Sequence, residues 1–144
     1  MIKAILLLLL IALTGCTSAL GPVPFETVEK GGLSNVDEPG KFVVQSQEDL
    51  EALPYHSAAL DAVEFSKHTV IAVFQGQFPT GGYSVTITNI TESQSSLVVS
   101  IEEKTPGPDS VVTQSFTQPY HIVKFRKISK PVKFEAKSLL GQIR

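Results

Sequence analysis

The sequence predicts an all-β domain with one or two short helices, folded as a small antiparallel sandwich or barrel. Beyond residue 24, most apolar residues lie in short β-branched runs that are bounded by turn-forming residues. Within these runs, apolar and polar residues alternate with the period of a strand and not with that of a helix. The run 70–74 is apolar at every position, which is typical of a central strand covered on both faces. An immunoglobulin-like sandwich is one arrangement that these observations allow.

The alternation predicts eight strands, which in chain order are 25–30, 42–45, 69–75, 83–91, 97–103, 111–116, 120–127 and 131–136. The strand 83–91 shows the pattern most clearly. Its residues Tyr83, Val85 and Ile87 share one face, and the polar residues between them share the other. This arrangement is typical of a strand with one buried face.

A short helix is predicted from Ser46 to Leu53. Ser46 is suited to accept hydrogen bonds from the first-turn N–H groups, and the acidic residues that follow it are favoured by the helix dipole. Leu50 and Leu53 fall on one face of this helix, and Pro54 ends it. A second short helix over 58–63 is compatible with the sequence.

Composition and reactive residues argue against catalysis, metal binding and nucleic-acid binding. The formal net charge of −2 indicates no preference for nucleic acid. The histidines His56, His68 and His121 lack the spacing of metal ligands, and no Gly-x-Ser-x-Gly motif presents a nucleophilic serine. We interpret His121 as an outward-facing polar residue on a strand. No catalytic residue, metal or cofactor is therefore predicted.

Residues 1–15 have the composition of a signal peptide. Lys3 supplies a positive charge, and the ten residues 4–13 are all apolar. This run is shorter than the roughly 20 residues that a bilayer-spanning helix needs. Leu13-Thr14-Gly15-Cys16 completes the segment and contains the one cysteine of the chain. This stretch resembles the lipobox of bacterial lipoproteins.

The lipobox resemblance implies that the chain is cleaved before Cys16 and that the Cys16 thiol carries diacylglycerol. Two or three acyl chains such as palmitate would then hold the protein on a lipid membrane, since each buried CH₂ contributes about 0.8 kcal/mol. We expect residues 16–24 to comprise the lipidated cysteine and a tether, and the protein to be lipid-anchored in the cell envelope. Thr17 stands where many Gram-negative lipoproteins carry an inner-membrane retention signal, Asp, so the outer membrane is favoured if the envelope is Gram-negative.

A loop rich in glycine and proline joins the predicted strands 69–75 and 83–91. Pro79 restricts φ, whereas Gly81 and Gly82 permit positive φ, so we expect a tight and exposed turn. Such a loop is also suited to binding, because glycines let a partner approach closely and aromatic rings offer large contact areas. The predicted partner-binding residues are Gln77, Phe78, Pro79, Thr80, Gly81, Gly82 and Tyr83.

A series of ordered motifs runs from Val70 to Phe125: Ile71-Ala72-Val73-Phe74-Gln75-Gly76, Pro79-Thr80-Gly81-Gly82-Tyr83-Ser84-Val85, Pro106-Gly107-Pro108, Thr113-Gln114 and Pro119-Tyr120-His121-Ile122-Val123. Together they resemble the C-terminal domain of the protease complex subunit PrcB. The resemblance implies a β domain over 25–144 that binds another envelope protein without catalysis. The family takes its name from a lipoprotein subunit that associates with a surface subtilisin-like protease. A protease or its precursor is therefore the leading partner class, with an accessory or stabilising role for this chain.

Two alternative functions remain open at this point. Pro79-Thr80-Gly81-Gly82-Tyr83 is also similar to the Asn-Pro-Thr-Thr-Gly-Tyr loop of chagasin-type cysteine-protease inhibitors, so a protease inhibitor is the first alternative. Phe78 stands where that loop has Asn, Gly81 replaces its second Thr, and the chain contains no tryptophan. A structural envelope lipoprotein is the second alternative.

Overall fold

Two four-stranded β-sheets form the fold, which is the sandwich-like all-β architecture that the sequence predicts. The computed structural model describes residues 20–141. The predicted signal peptide 1–15 and the predicted lipidation site Cys16 lie outside the described residues, and both stay predictions. Neither helix within 20–141 has the length and the apolar character that a membrane span requires.

Eight strands and two short helices follow one another along residues 20–141: β1 (Gly21–Pro22), β2 (Phe25–Gly31), β3 (Gly40–Val44), α1 (Gln47–Glu51), α2 (Ala58–Asp61), β4 (His68–Phe74), β5 (Ser84–Glu92), β6 (Leu97–Thr105), β7 (Tyr120–Arg126) and β8 (Val132–Leu140). The first sheet has the strand order β1-β5-β6-β8, and the second has the order β2-β7-β4-β3. Most neighbours are antiparallel, as predicted, but β6 and β8 are parallel. The first sheet is therefore mixed.

The crossing from β7 to β8 explains the parallel pair. β7 belongs to the second sheet and β8 to the first, so the chain changes sheets over residues 127–131. The buried Glu92 of β5 forms ion pairs here with Arg126 and with Lys130, whose Nζ lies 2.7 Å from Glu92 Oε1. The hydrogen bond from Lys130, followed by that from Arg126, holds the pKa of Glu92 below its usual value. These contacts fasten the crossing segment to the first sheet.

The hydrophobic core has two parts, which share β4. Ile71 and Val73 pack between the sheets, together with Val123 and the apolar residues of β5 and β6. Val70 and Phe74 face the other way and pack beneath the two helices. β4 is therefore covered on both faces, as the continuous apolar run predicts.

The two helices begin at the serines that cap them. Ser46 Oγ accepts a hydrogen bond from the Asp49 N–H at 3.1 Å, and Ser57 Oγ accepts one from the Leu60 N–H at 3.2 Å. The Asp49 carboxylate accepts a hydrogen bond from the Gln45 N–H at 2.9 Å, and this bond lowers the pKa of Asp49. Both predicted helical segments are thus confirmed, and each buries one leucine, Leu50 or Leu60, against the second sheet.

The prediction of a strand over 111–116 is wrong. These residues pair with no strand, and the only bridge nearby within 20–141 joins Thr117 to Phe78. Thr113 O instead accepts a hydrogen bond from the Gly81 N–H at 2.9 Å. The backbone of this segment therefore pairs with a neighbouring loop, and its apolar residues do not mark a buried sheet face.

The interpretation of His121 as an outward-facing residue is also wrong. His121 is buried on the inner face of β7, the face that Val123 and Phe125 also occupy. Its Nδ1 accepts a hydrogen bond from the Ile87 N–H of the opposite sheet at 2.8 Å. Its Nε2 lies 2.9 Å from Thr27 Oγ1 on β2. A polar residue is accommodated here because both ring nitrogens find partners.

Strand β1 lies before residue 25, within the segment 16–24 that was expected to comprise the lipidated cysteine and a tether. Gly21 and Pro22 pair with Thr91 and Glu92 of β5. Val23 is buried in the core, and its N–H donates to Ile90 O at 2.7 Å. The chain therefore joins the first sheet before it crosses to β2 in the second sheet.

Candidate functional site

Three connecting segments meet at one end of the sandwich. The register pairs Gly31 with Tyr120 and Gly40 with Phe74, so β2, β3, β4 and β7 reach this end together. In the other sheet, Ser84 of β5 lies opposite the last residues of β6. Segments 31–40, 75–83 and 105–119 therefore leave the sheets on the same side, and we call them the loop end.

Backbone hydrogen bonds join the predicted binding loop, residues 77–83, to the segment before β7. Phe78 and Thr117 exchange a pair of them, with N···O distances of 2.8 and 3.0 Å. The Gly81 N–H donates to Thr113 O at 2.9 Å, and Thr117 Oγ1 donates to Thr80 O at 2.7 Å. The loop thus forms a hydrogen-bonded pair with 113–117 and does not stand alone.

Gln118 ties the third segment of the loop end to the other two. Its buried side-chain amide accepts a hydrogen bond from the Asn35 N–H at 2.9 Å. The same amide donates to Asp37 Oδ1 at 2.6 Å and to Gln77 Oε1 at 3.2 Å. The Gln118 N–H also donates to Gly32 O at 2.7 Å. One side chain therefore holds residues from all three segments in fixed positions.

Two glycines of the loop have a backbone conformation that other residues rarely adopt. Gly76 has φ +84° and Gly82 has φ +90°. A Cβ at Gly76 would lie 3.0 Å from Asp37 O, and a Cβ at Gly82 would lie 2.8 Å from Pro106 Cβ. The positive φ predicted for Gly82 is confirmed. Both glycines also allow the neighbouring segments to pack closely.

The structure distributes the predicted binding residues between the surface and the interior of the loop end. Gln77, Pro79 and Gly82 are exposed, whereas Gly81 is buried and Thr80 is half-buried. The rings of Phe78 and Tyr83 stack with centroids 3.8 Å apart and 7° between their planes. The two rings therefore cover one face of each other, and each ring offers only part of its surface to a partner.

Three exposed apolar side chains at the loop end were not among the predicted binding residues. Leu33 is 67% exposed, Phe116 is 63% exposed and Val111 is fully exposed. Leu33 forms an isolated bridge with Gln118, and Phe116 precedes Thr117, so both are fixed to the hydrogen-bonded frame. The strand prediction over 111–116 concealed two of them, since it implied that their side chains contribute to a sheet.

The histidines and acidic residues of the described part of the chain are not gathered into one site. No group of three or more His, Cys, Asp or Glu side chains within 20–141 is placed to hold a metal ion. His121 lies between the sheets, and both of its nitrogens already have partners. The arrangement at the loop end instead presents apolar side chains on a hydrogen-bonded frame, which is typical of a surface that binds another macromolecule.

The loop end lies far from the first described residues. β1 pairs with the last two residues of β5, whereas the binding loop leads into the first residue of β5, Ser84. β5 has nine residues, which at about 3.3 Å per residue span roughly 26 Å. The start of the domain and the loop end are therefore at opposite ends of the sandwich.

Comparison with known families finds a match for the central part of the chain. Residues 69–126, from β4 to the end of β7, match the family model described as PrcB C-terminal. The match contains the binding loop and segment 105–119, whereas segment 31–40 lies outside it. No curated protein and no solved structure shows a significant match to the chain. The segment that carries two of the three parts of the loop end thus resembles the PrcB C-terminal domain.

Proposed function

We propose that this chain is a non-catalytic, lipid-anchored subunit that binds an envelope protease or its precursor through the loop end. The observation that carries the proposal is the set Leu33, Val111 and Phe116, three large apolar side chains exposed at the loop end, of which Leu33 and Phe116 are held by its hydrogen-bonded frame. The match of 69–126 to the PrcB C-terminal model supports a protease complex as the setting.

Exposed apolar side chains favour binding, because their contact with water is unfavourable. Burying Phe116 and Leu33 against a partner would stabilise the complex by about 25 cal/mol for each Å² removed from water. The hydrogen bonds of Gln118 hold these side chains in position before binding, which lowers the entropy that association costs. Gln77 and Pro79, which are exposed on the same frame, supply a polar and a rigid contact beside them.

The inhibitor alternative has less support from the geometry. A loop that blocks a protease needs an accessible backbone at its centre. Gly81 is buried here, with its N–H bonded to Thr113 O, and Thr80 O is bonded to Thr117 Oγ1. This geometry therefore fits a binding loop that is one part of a wider surface better than a loop that enters a protease active site.

The test of this function is cross-linking of the full chain on intact membranes, followed by mass spectrometry. We expect a protease to be recovered with the wild-type chain, and Phe116→Lys to reduce its recovery about tenfold or more, because a charge would enter a desolvated interface. Leu20→Lys is the matched control, since Leu20 is also an exposed apolar residue but lies at the opposite end. Equal recovery with both variants would place the contact elsewhere, and recovery of no protease would contradict the proposed partner.

The proposed anchor at Cys16 places the loop end on the side away from the membrane, because the domain starts at the opposite end. We expect Cys16→Ala to abolish incorporation of labelled palmitate and to leave the signal peptide attached. Thr17→Ala is the control and should retain the label. A mature N-terminus downstream of an unmodified Cys16 would contradict lipidation.

A further inference from the structure

A cleft of about 630 Å³ opens between the two sheets beside the loop end. Its walls come from β3 and β4 on one side and from β6 and β8 on the other. The lining combines polar or charged side chains with two aromatic residues: Lys41, Gln75, Glu103 and Ser138, with Phe74 and Phe78. The cleft is thus bordered by the binding loop but is distinct from the apolar surface of Leu33, Val111 and Phe116.

The cleft exists because the core positions change from apolar to polar along four strands. Ile71 and Val73 face inward on β4, and Gln75, directly after the end of β4, continues this row of residues. On β6, the inward-facing Ile101 is followed in the same way by Glu103. β3 and β8 show the same change. Polar side chains thus replace the interdigitating apolar ones at these inward positions, and the space between the sheets stays open.

The polar groups of the cleft have few partners within the protein. Gln75 Oε1 is buried and makes no hydrogen bond within the described part of the chain. Lys41 and Glu103 lie on opposite sheets, and neither forms an ion pair among residues 20–141. A buried acceptor nearly always has a donor in a native protein, and the cleft supplies none to Gln75. One acceptor, one ammonium and one carboxylate therefore remain available to a molecule in the cleft.

The backbone beside the cleft is also available on one side. β3 is the outermost strand of the second sheet and pairs only with β4. Its free edge can pair with an additional strand, which is a common way of binding an extended peptide. The chemistry of the cleft fits this ligand, because main-chain amides can donate to Gln75 and charged side chains can pair with Lys41 and Glu103. A lipid chain would leave the charges of Lys41 and Glu103 without partners, whereas a peptide can pair with both.

We propose that the cleft binds an extended peptide segment of the partner protein, which adds to the free edge of β3 and directs an acidic side chain to Lys41 and a basic side chain to Glu103. This proposal rests on the proposed protein-binding function and adds the chemistry of the bound segment. The apolar loop-end surface supplies area for docking. The cleft selects which segment of the partner is held.

The test places a photo-crosslinking amino acid in the full chain at one of three positions and maps the adducts on intact membranes. Ser138 reports the cleft, Phe116 reports the loop-end surface, and Thr88 on the outer face of the first sheet is the control. We expect adducts at Ser138 to map to one peptide segment of a protein partner, with an acidic and a basic residue, and no adducts at Thr88. Adducts at Phe116 but none at Ser138 would overturn the cleft proposal and leave the proposed function standing. Adducts at neither position would overturn both.

A charge reversal makes the test specific for the ion pairs. Lys41→Glu should reduce the Ser138 adduct about tenfold, since it replaces attraction of the acidic side chain by repulsion. Lys104→Glu is the matched control, because Lys104 is equally exposed at the same end but is not part of the cleft lining. Both lysines are exposed, so both variants should fold. An equal effect of the two reversals, or adducts to glycan or lipid at Ser138, would contradict a peptide ligand.

Discussion

Acidification from pH 7.5 to pH 4 is expected to lower the free energy of unfolding by about 3 kcal/mol through His121 alone. Nδ1 accepts a hydrogen bond from the Ile87 N–H, so it carries no proton, and the proton of the neutral ring lies on Nε2, which donates to Thr27 Oγ1. Protonation of Nδ1 would set two donors against each other inside the sandwich. Burial, followed by the positive charge of Lys30, lowers the pKa of His121 from 6.5 to about 4.

The direction of this pH dependence follows from the lowered pKa. The unfolded chain takes up a proton at His121 below pH 6.5, whereas the folded chain does so only near pH 4. The contribution to stability is therefore fully present above pH 6.5 and is lost as the pH falls towards 4.

Urea unfolding of wild type and His121→Leu at several pH values checks this prediction. At pH 7.5, His121→Leu should be less stable than wild type by about 1–3 kcal/mol, because the buried Ile87 N–H loses its acceptor. The difference should narrow as the pH falls, since the leucine variant has no proton to take up. His56→Leu is the control, because His56 is exposed, and it should follow the wild-type pH profile. Parallel profiles for wild type and His121→Leu would contradict a neutral buried imidazole.

Replacing Gln118 by alanine is expected to destabilise the domain by roughly 2–4 kcal/mol and to abolish partner binding. The substitution removes the acceptor of the Asn35 N–H and the donors to Asp37 and Gln77, three hydrogen bonds that each contribute about 0.5–1.5 kcal/mol, and it also removes the packing of the buried Gln118 side chain. The three segments of the loop end would then move independently. Binding is expected to fail although no exposed contact residue has changed.

Gln114→Ala is the matched control for Gln118→Ala, because Gln114 belongs to the same segment but is exposed. Its stability should stay within about 0.5 kcal/mol of wild type. Thermal unfolding measures the first effect, and recovery of the cross-linked partner measures the second. If Gln118→Ala remained folded and recovered the partner as well as Gln114→Ala does, the preformed frame would have no part in binding.

Local sequence patterns were sufficient for most strands and for both helices. A strand directs alternate side chains to opposite faces, so the alternation at Val85 and Ile87 identifies buried positions before any partner strand is known. Ser46 and Ser57 cap their helices through contacts within three residues, which the sequence displays directly. The burial of His121 was also open to prediction, because it shares a strand face with Val123 and Phe125.

Pairing between distant segments was not open to prediction in this way. Residues 111–116 have the composition of a strand, but a strand also needs a neighbour, and the nearest backbone is that of the binding loop. The parallel course of β8 likewise depends on where the chain crosses between the sheets. The spacing of residues along the chain indicates neither of these two features.

Residue patterns along the chain were sufficient for the all-β class, the capped helices, the central strand β4 and the resemblance of 69–126 to the PrcB C-terminal domain. These features depend on neighbouring residues, whose geometry the backbone fixes. Three features became visible only in the folded domain: Gln118 joins three segments, Leu33 and Phe116 remain exposed, and a cleft lies between the sheets. These features depend on contacts between residues far apart in the chain, because burial and hydrogen-bond partners are assigned only when the two sheets pack together.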